Sequence, residues 1–485
     1  MATGDAAAAR SMGDDMMDAQ GKRDGQTIAG AKMRAAPDAD ARHAAASAAP
    51  ATSAAYAASG TGACIERIIE RRLDGGALSD VDVLELLSAD DELSLQELCV
   101  AARELRRRNF GDKVFLYGFV YFSTWCRNSC AFCYFRQQND QPPRYRKSVE
   151  ETVDIAGRLE ESGVHLIDLT MGEDPYFLDD PETLPELVCK VHAAVCLPIM
   201  VSPGVVDPAL LKRLAHAGAD WYALYQETYD PVLFARLRLG QSAQARIDAK
   251  WQARMSGMLL EEGLMTGFGE RPESVLRSLS AMRTMDAQQV RVMTFIPQRG
   301  TPLENERSVD FSNELRMIAV MRLLFPDRLI PASLDVDGLQ GLQSRLNAGA
   351  NVVTSLIPPT AGLAGVAHAY EDIADGARTV EGIADTLGRC QLEPATAAGY
   401  SRWVDARRRS AAARRRHAAA KREPLKAARA QSVPASGSEL PVQPAPASGS
   451  ELPAQPAPAS GSELPALGSE SSARSLVSAL RMGRR

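Results

Sequence analysis

VFLYGFVYFSTWCRNSCAFC, residues Val114–Cys133, is the stretch from which the fold can be read. Val114–Phe122 is an apolar and aromatic run broken only by Gly118, the pattern of a strand buried on both faces. Directly behind it stand three thiols, Cys126, Cys130 and Cys133, at x3 and x2 spacing. A four-iron cluster takes four ligands, and protein thiolates are the usual ones. Three cysteines in one tight loop leave one iron without a protein ligand. Chemistry can occur at such an open position, as it does at catalytic zinc sites. A structural zinc loop lacking its fourth ligand, or a group of buried thiols, would show the same spacing.

Outward from this stretch, strand-like and helix-like segments alternate. The further strands expected are His165–Thr170, Pro198–Ser202, Trp221–Tyr225, Leu264–Gly267, Val290–Phe295, Leu329–Ala332 and Asn351–Ser355. Helical patterns lie between them, over Val149–Ser162, Pro181–Ala193, Asp207–His216, Ala243–Glu262, Pro272–Met285 and Ser312–Leu324. Eight strands alternating with helices over about 250 residues match the size of an α/β (β/α)8 barrel of the TIM type. An open doubly wound sheet would read similarly. Upstream, Ile65, Ile68, Ile69 and Leu73 have helical spacing, Ser79 caps a second helix, and Ser94 opens a third over Leu95–Arg108. Downstream, Val380–Leu387 and Pro394–Arg409 read as helical.

At 485 residues, a typical domain size of about 150 predicts roughly three domains. The pattern is more uneven than that. Residues 1–62 hold 22 alanines and almost no large apolar side chains, so they cannot offset their ordering entropy and are expected to be disordered. The octapeptide PASGSELP recurs at 434–441, 446–453 and 458–465, a low-complexity tail. The expected organisation is an extension over 1–62, a helical lead-in over 63–108, the barrel over 109–360, a helical closure over 361–409 and a tail over 410–485.

The net charge of −6 is an average of unlike regions. Arg402–Arg429 carries eleven Lys/Arg against Asp405 and Glu423, a net of +9. The segment 401–485 as a whole also carries +9, which leaves −15 on the remainder. Eight cysteines are too sparse for a disulfide scaffold. No stretch approaches the ~18 apolar residues of a membrane span. Met1–Arg10 lacks the order of a secretory signal, and Asp5, Asp14, Asp15 and Asp18 argue against a transit peptide. The expectation is a cytoplasmic protein without membrane association.

CxxxCxxC with the aromatic Phe132 before its last cysteine, placed after the first barrel strand, resembles the radical S-adenosylmethionine superfamily. The resemblance implies a 4Fe–4S cluster on Cys126, Cys130 and Cys133, with S-adenosylmethionine on its open iron. Met171-Gly172-Glu173 resembles the motif that contacts the methionine amine, with Met171 in place of its first glycine. Glu227 and Arg246 resemble the pair that holds the cofactor in the biotin synthase-like branch, an acid for an ammonium and an arginine for a carboxylate. A surface ion pair is the alternative.

Four longer strings narrow the resemblance: GFVYFSTWCRNSCAFCYFR, YQETYDPVLFARLRLGQS, VRVMTFIPQRGTPLE and ASLDVDGLQGLQSRLNAGANVVTSLIPP. They resemble the methylornithine synthase family, the lysine mutases that open pyrrolysine biosynthesis, over roughly residues 108–407. The resemblance implies hydrogen abstraction from C4 of L-lysine by a 5′-deoxyadenosyl radical and scission of Cα–Cβ. Recombination of the fragments at another carbon then gives (3R)-3-methyl-D-ornithine. It also implies a low-potential electron donor of flavodoxin or ferredoxin type.

Barrel active sites sit at the C-terminal ends of the strands. The candidates there are Asp168, Arg291, Ser333 and Asp335. Charges in an apolar barrel are costly unless met by complementary charge, and a diamino acid such as lysine supplies it. The same four positions resemble the family's substrate-binding residues. Asp168 and Arg291 could instead simply pair with each other. Rival readings are a sulfur insertase, for which no second set of cluster cysteines stands at the strand ends, and maturase-like chemistry. A nucleic-acid-binding role for the arginine-rich Arg402–Arg429 lacks interleaved aromatics apart from Trp403, so a solvated basic helix is the plainer reading.

Overall fold

The computed structural model describes residues 60–431 other than 308, 336, 359, 360, 364 and 366–376. The alanine-rich extension, apart from its last three residues, and the PASGSELP repeats lie outside the described residues. Eight parallel strands form the core: β1 (Lys113–Ser123), β2 (Leu166–Met171), β3 (Ile199–Ser202), β4 (Ala219–Ala223), β5 (Leu259–Thr266), β6 (Gln289–Thr294), β7 (Pro331–Ser333) and β8 (Val352–Leu356). They are ordered β6-β5-β4-β3-β2-β1-β8-β7, and a parallel bridge between Gln289 and Leu329 joins the two ends. This is a nearly closed barrel, not an open sheet. The closing bridge lies at the N-terminal ends of the strands, so the β6–β7 seam is tied at the bottom.

Helices on the outside follow from their caps. Ser148 and Glu151 form a capping box that starts Val149–Glu161, and Asp207 caps Pro208–His216 with a proline in its first turn. Pro272–Met285 and Ser312–Leu324 match the helical patterns residue for residue. The pattern read over Ala243–Glu262 does not hold. That helix stops at Met255, Gly257 takes a positive φ of 99°, and β5 has begun by Leu259. The lead-in helices are Gly60–Leu73, Asp80–Ser88 and Glu92–Phe110. Ser79 caps the second as expected, but the cap of the third is Asp91, with Ser94 already buried inside it. Pro394 lies in a two-residue strand, Glu393–Pro394, beside Lys113 and Val114, and the last helix is Ala397–Gln431.

That helix plugs the bottom of the barrel. Phe115, Leu166, Met200, Trp221, Leu259, Leu329 and Val352 point inward and pack on Tyr400 and Val404. Burying each of these larger side chains contributes on the order of 2 kcal/mol. The Tyr117 and Tyr400 hydroxyls lie 2.7 Å apart, and Tyr117 donates to Gln289 Oε1 at 2.9 Å. Trp403 stacks on Trp221 at 6.1 Å between ring centroids. With the bottom filled, the strand interior is open only toward the C-terminal ends, where the cysteine loop emerges.

Candidate active site

The loop after β1 is held by arginines that spend their donors on its carbonyls. Arg144 donates to the carbonyls of Thr124 (2.5 Å), Phe135 (2.9 Å), Arg136 (2.7 Å) and Asn139 (3.0 Å). Arg136 donates to those of Cys130 (3.1 Å) and Ser129 (3.3 Å). Gly172 makes the approach of this loop to β2 possible: a Cβ there would meet Trp125 O at 2.2 Å and Cys126 Cβ at 2.7 Å. The three thiols are thereby gathered around one place. Cys130 Sγ accepts from Gln241 Nε2 at 3.0 Å and from Arg238 Nη1 at 3.5 Å. Burial, and then the nearby Cys130 and Cys126, push the Cys133 thiol up to about 12; burial also raises Cys126. The bare loop therefore holds protons that a metal would displace. Among the described residues no three His, Cys, Asp or Glu side chains converge as a single ion requires. Three thiolates carried by one loop suit a cluster in which each takes a different iron.

Glu227 ends the β4 arm with a φ of 66°, a left-handed conformation that a non-glycine residue keeps only when its surroundings impose it. Here Gln226 N donates to Glu262 Oε1 (2.8 Å) and Glu227 N to Gly263 O (3.1 Å). Glu262 is in turn paired with Lys250, both side chains being fully buried. Burial, opposed by Glu262, lowers the Lys250 pKa to about 8. The alternative of an ion pair between Glu227 and Arg246 is not formed. Glu227 pairs with Arg238, whose guanidinium also lies 5.3 Å from the centroid of the Phe132 ring. Arg246 instead donates to Tyr225 O (2.5 Å) and Gln241 Oε1 (3.1 Å). Glu173 accepts from Val205 N at 3.0 Å and lies 3.5 Å from Arg127. Gly204, with a φ of 79°, leaves the space in which that carboxylate sits. Glu227 Oε2 and Arg246 Nε are buried without a partner in the protein.

Below the loop, a cavity of about 840 Å³ including its mouth opens into the barrel. Phe132, Cys133, Asp168, Glu227, Arg291 and Asp335 line it, together with Tyr225 and Ser355. Cys126, Cys130, Glu173, Arg246 and Ser333 stand behind this surface. Arg291 does not pair with Asp168; its Nε donates to Glu261 Oε1 at 2.7 Å, and Glu261 Oε2 has no partner. Burial works against the Arg291 charge, but Glu261 more than offsets it and raises its pKa. Asp168 accepts only from Thr170 Oγ1, at 3.0 Å. Burial and the neighbouring Glu261 push Asp168 up to about 7. Asp335 is held by Arg378 Nη1 at 3.0 Å and by Ser355 Oγ at 2.7 Å, while Ser333 Oγ accepts from Asp335 N at 3.3 Å. Arg378 keeps Nε and Nη2 buried and unanswered.

Glu261, Arg238 and Arg378 were not read from the sequence. Glu261 had a signal: in LLEEGLM, read as a strand, period two turns one glutamate inward and the other outward. Arg238 had none, since Arg236 stands two residues before it in the same string. Cys133 is the only cysteine lining the cavity, so a second cluster has no thiol ligands there. No helix among the described residues is long and apolar enough to cross a membrane.

Comparison with known proteins places this geometry in a lineage. Residues 120–280 match the radical SAM superfamily. The chain is 45% identical over 336 residues to 3-methylornithine synthase of Methanosarcina acetivorans, covering 69% of this chain and 96% of the relative. It is 32% identical over 272 residues to the FeFe-hydrogenase maturase subunit HydE of Thermotoga maritima, covering 56% and 77%. A crystal structure of methylornithine synthase superposes with a TM-score of 0.66 at 45% identity, covering 69% of this chain and 99% of that one. The higher identity and the nearly complete coverage favour the mutase over the maturase relationship. The chain belongs to the radical SAM superfamily and, within it, to the 3-methylornithine synthase family.

Proposed function

We propose that the chain isomerises L-lysine to (3R)-3-methyl-D-ornithine, the opening step of pyrrolysine biosynthesis. Cys126, Cys130 and Cys133 would hold a 4Fe–4S cluster, with the Cys130 thiolate stabilised by the donors of Gln241 and Arg238. S-adenosylmethionine would lie along Phe132, Glu173, Glu227 and Arg246, where Glu227 Oε2 and Arg246 Nε await polar partners. The loaded site supplies a 5′-deoxyadenosyl radical from one low-potential electron. All other tasks fall to the protein: to bind lysine in one pose, hold its fragments, and exclude water and stray hydrogen donors. Arg291 is suited to the lysine carboxylate, and Asp168 and Asp335, steadied by Ser333, to its ammonium groups. The catalytic unit would be the barrel over 109–360 with its closure over 361–409. Free cysteines throughout fit a reducing cytoplasm.

The observation that carries this reading is the charge balance at the cavity floor. Asp168, Glu261 and Asp335 face Arg291 and Arg378, a net of −1 when all are ionised. Lysine, with two ammonium groups and one carboxylate, carries +1. Anaerobically reconstituted protein with reductant, S-adenosylmethionine and L-lysine is expected to yield an isobaric lysine isomer by chromatography–mass spectrometry. Accumulation of 5′-deoxyadenosine with lysine untouched would refute the substrate while leaving the radical chemistry. A Cys130→Ala variant is expected to lose iron and at least about 1,000-fold in activity, and retained activity would refute both.

A further inference from the structure

The Glu227 carboxylate is aimed by residues that do not themselves line the cavity. β4 and β5 pair as far as Ala223 and Glu261, and the two chains meet again at Glu227 and Leu264. Four steps along the β4 arm answer three along β5, so the arm carries one extra residue. Such a bulge breaks the ladder locally and re-aims a side chain, often beside an active site. Glu227 closes this one with its φ of 66°. There the ladder resumes, Glu227 N donating to Gly263 O at 3.1 Å and Met265 N to Glu227 O at 3.0 Å.

Where the ladder is broken, one carboxylate takes its place. Glu262 Oε1 accepts from Gln226 N at 2.8 Å and from Gly263 N at 2.9 Å, one amide from each side of the bulge. Its Oε2 accepts from the Tyr229 hydroxyl at 2.6 Å and from Lys250. Lys250 also donates to Gln226 Oε1 at 3.0 Å and to the Tyr229 hydroxyl at 3.1 Å, so all three of its N–H groups are used. Gln226, Lys250 and Glu262 are at most 1% exposed. A buried ion pair is weak evidence of stabilisation, because apolar side chains of similar volume often serve a fold as well. An apolar pair could not answer the two amides. Resting on the reading that Glu227 contacts S-adenosylmethionine, we infer that Glu262 is a positioning residue for that cofactor. Its Oε1 holds the bulge that presents the Glu227 carboxylate, and Lys250 is the counter-charge that lets a carboxylate be buried there. The lysine side of the cavity is held separately. Tyr225, which lines it, has its carbonyl fixed by Arg238 (3.0 Å) and Arg246 (2.5 Å), and Glu261 turns the other way, to Arg291.

The test is equilibrium dialysis of labelled S-adenosylmethionine against the full-length, anaerobically reconstituted and unreduced protein, with affinity normalised to bound iron. Glu262→Asp keeps the charge opposite Lys250 but draws the carboxylate back by one methylene, and is expected to weaken cofactor binding about tenfold. Lys250→Met combined with Glu262→Gln removes both charges but keeps the side-chain length and the acceptor oxygen. That double variant is expected to bind within about threefold of the unaltered protein. In turnover, Glu262→Asp should raise the KM for S-adenosylmethionine while the KM for lysine stays within about twofold. A role in stability alone predicts that affinity follows melting temperature in both variants and that the two KM values move together. Full affinity in Glu262→Asp, or a loss in the double variant as large as in Glu262→Asp, overturns the proposal. If the unaltered, iron-replete protein binds no S-adenosylmethionine, the cofactor reading itself fails and this inference falls with it.

Discussion

In the lower half of the barrel, the Tyr117 hydroxyl meets the Tyr400 hydroxyl and Gln289 Oε1, and aromatic rings fill the remaining space. One turn of the pleat higher, the same strands present Asp168, Glu261 and Arg291, and oxygens and nitrogens are left without partners. The two layers are equally buried and share their strands. They differ in what they leave unanswered: the neutral donors Trp221 Nε1 and Gln289 Nε2 below, a Glu261 carboxylate oxygen and two Arg378 guanidinium nitrogens above. A buried charged group left unpaired costs more than a neutral one, so the upper layer is the one that a charged ligand would complete.

Four substitutions would break or sharpen that contrast. The largest effect is expected at Arg291. Arg291→Leu strands the fully buried Glu261 carboxylate and should cost about 3–5 kcal/mol in denaturant unfolding, with turnover lost. Arg291→Leu combined with Glu261→Leu should recover most of the stability and none of the turnover. Recovery of both would make the pair scaffold. At Asp168 the effect is a pH profile. Its pKa of about 7 lies above the ordinary carboxylate value near 4, so the neutral form is favoured in the fold. Its contribution to stability is complete below about pH 4 and is lost as pH rises through about 7. Asp168→Asn should remove that slope from a series of melting temperatures. Lysine, bringing an ammonium group, should release about one proton on binding near pH 6, measured by calorimetry in buffers of different ionisation enthalpy. No proton release would mean that Asp168 does not meet the ammonium. The smallest effect is expected in the lower layer: Tyr400→Phe should cost about 1 kcal/mol of stability and leave turnover within about twofold.

Neighbouring residues show how far sequence reading reached. The first strand was legible because a parallel strand buried on both faces leaves a nearly continuous apolar run, here Val114–Phe122. β5 was half missed because LLEEGLMT, with two acids, continues the polar rhythm of the preceding helix. Glu261 and Glu262 then separate by the pleat, one inward to Arg291 and one outward to Lys250. Asp168 and Arg291 were found as charges within mostly apolar strands, and Asp335 as a charge just past the end of one. Their partners were not, because Arg378 arrives from a segment 43 residues beyond Asp335. Glu227 and Arg246 were read together from the sequence, whereas the arginine that pairs with Glu227 in the fold is Arg238. Arg238 and Arg246 differ only in which side of the Gln241 turn they occupy, and that is settled by packing against Tyr225 and Phe132.

The sequence by itself determined the chemistry and the scaffold: thiol spacing is a local property, and strand–helix alternation is written in periodicity. Only the tertiary structure decided which charges answer one another and which buried polar atoms are left without a partner. Those depend on residues distant in the chain meeting at distances of a few ångströms, where burial multiplies the consequence of each contact.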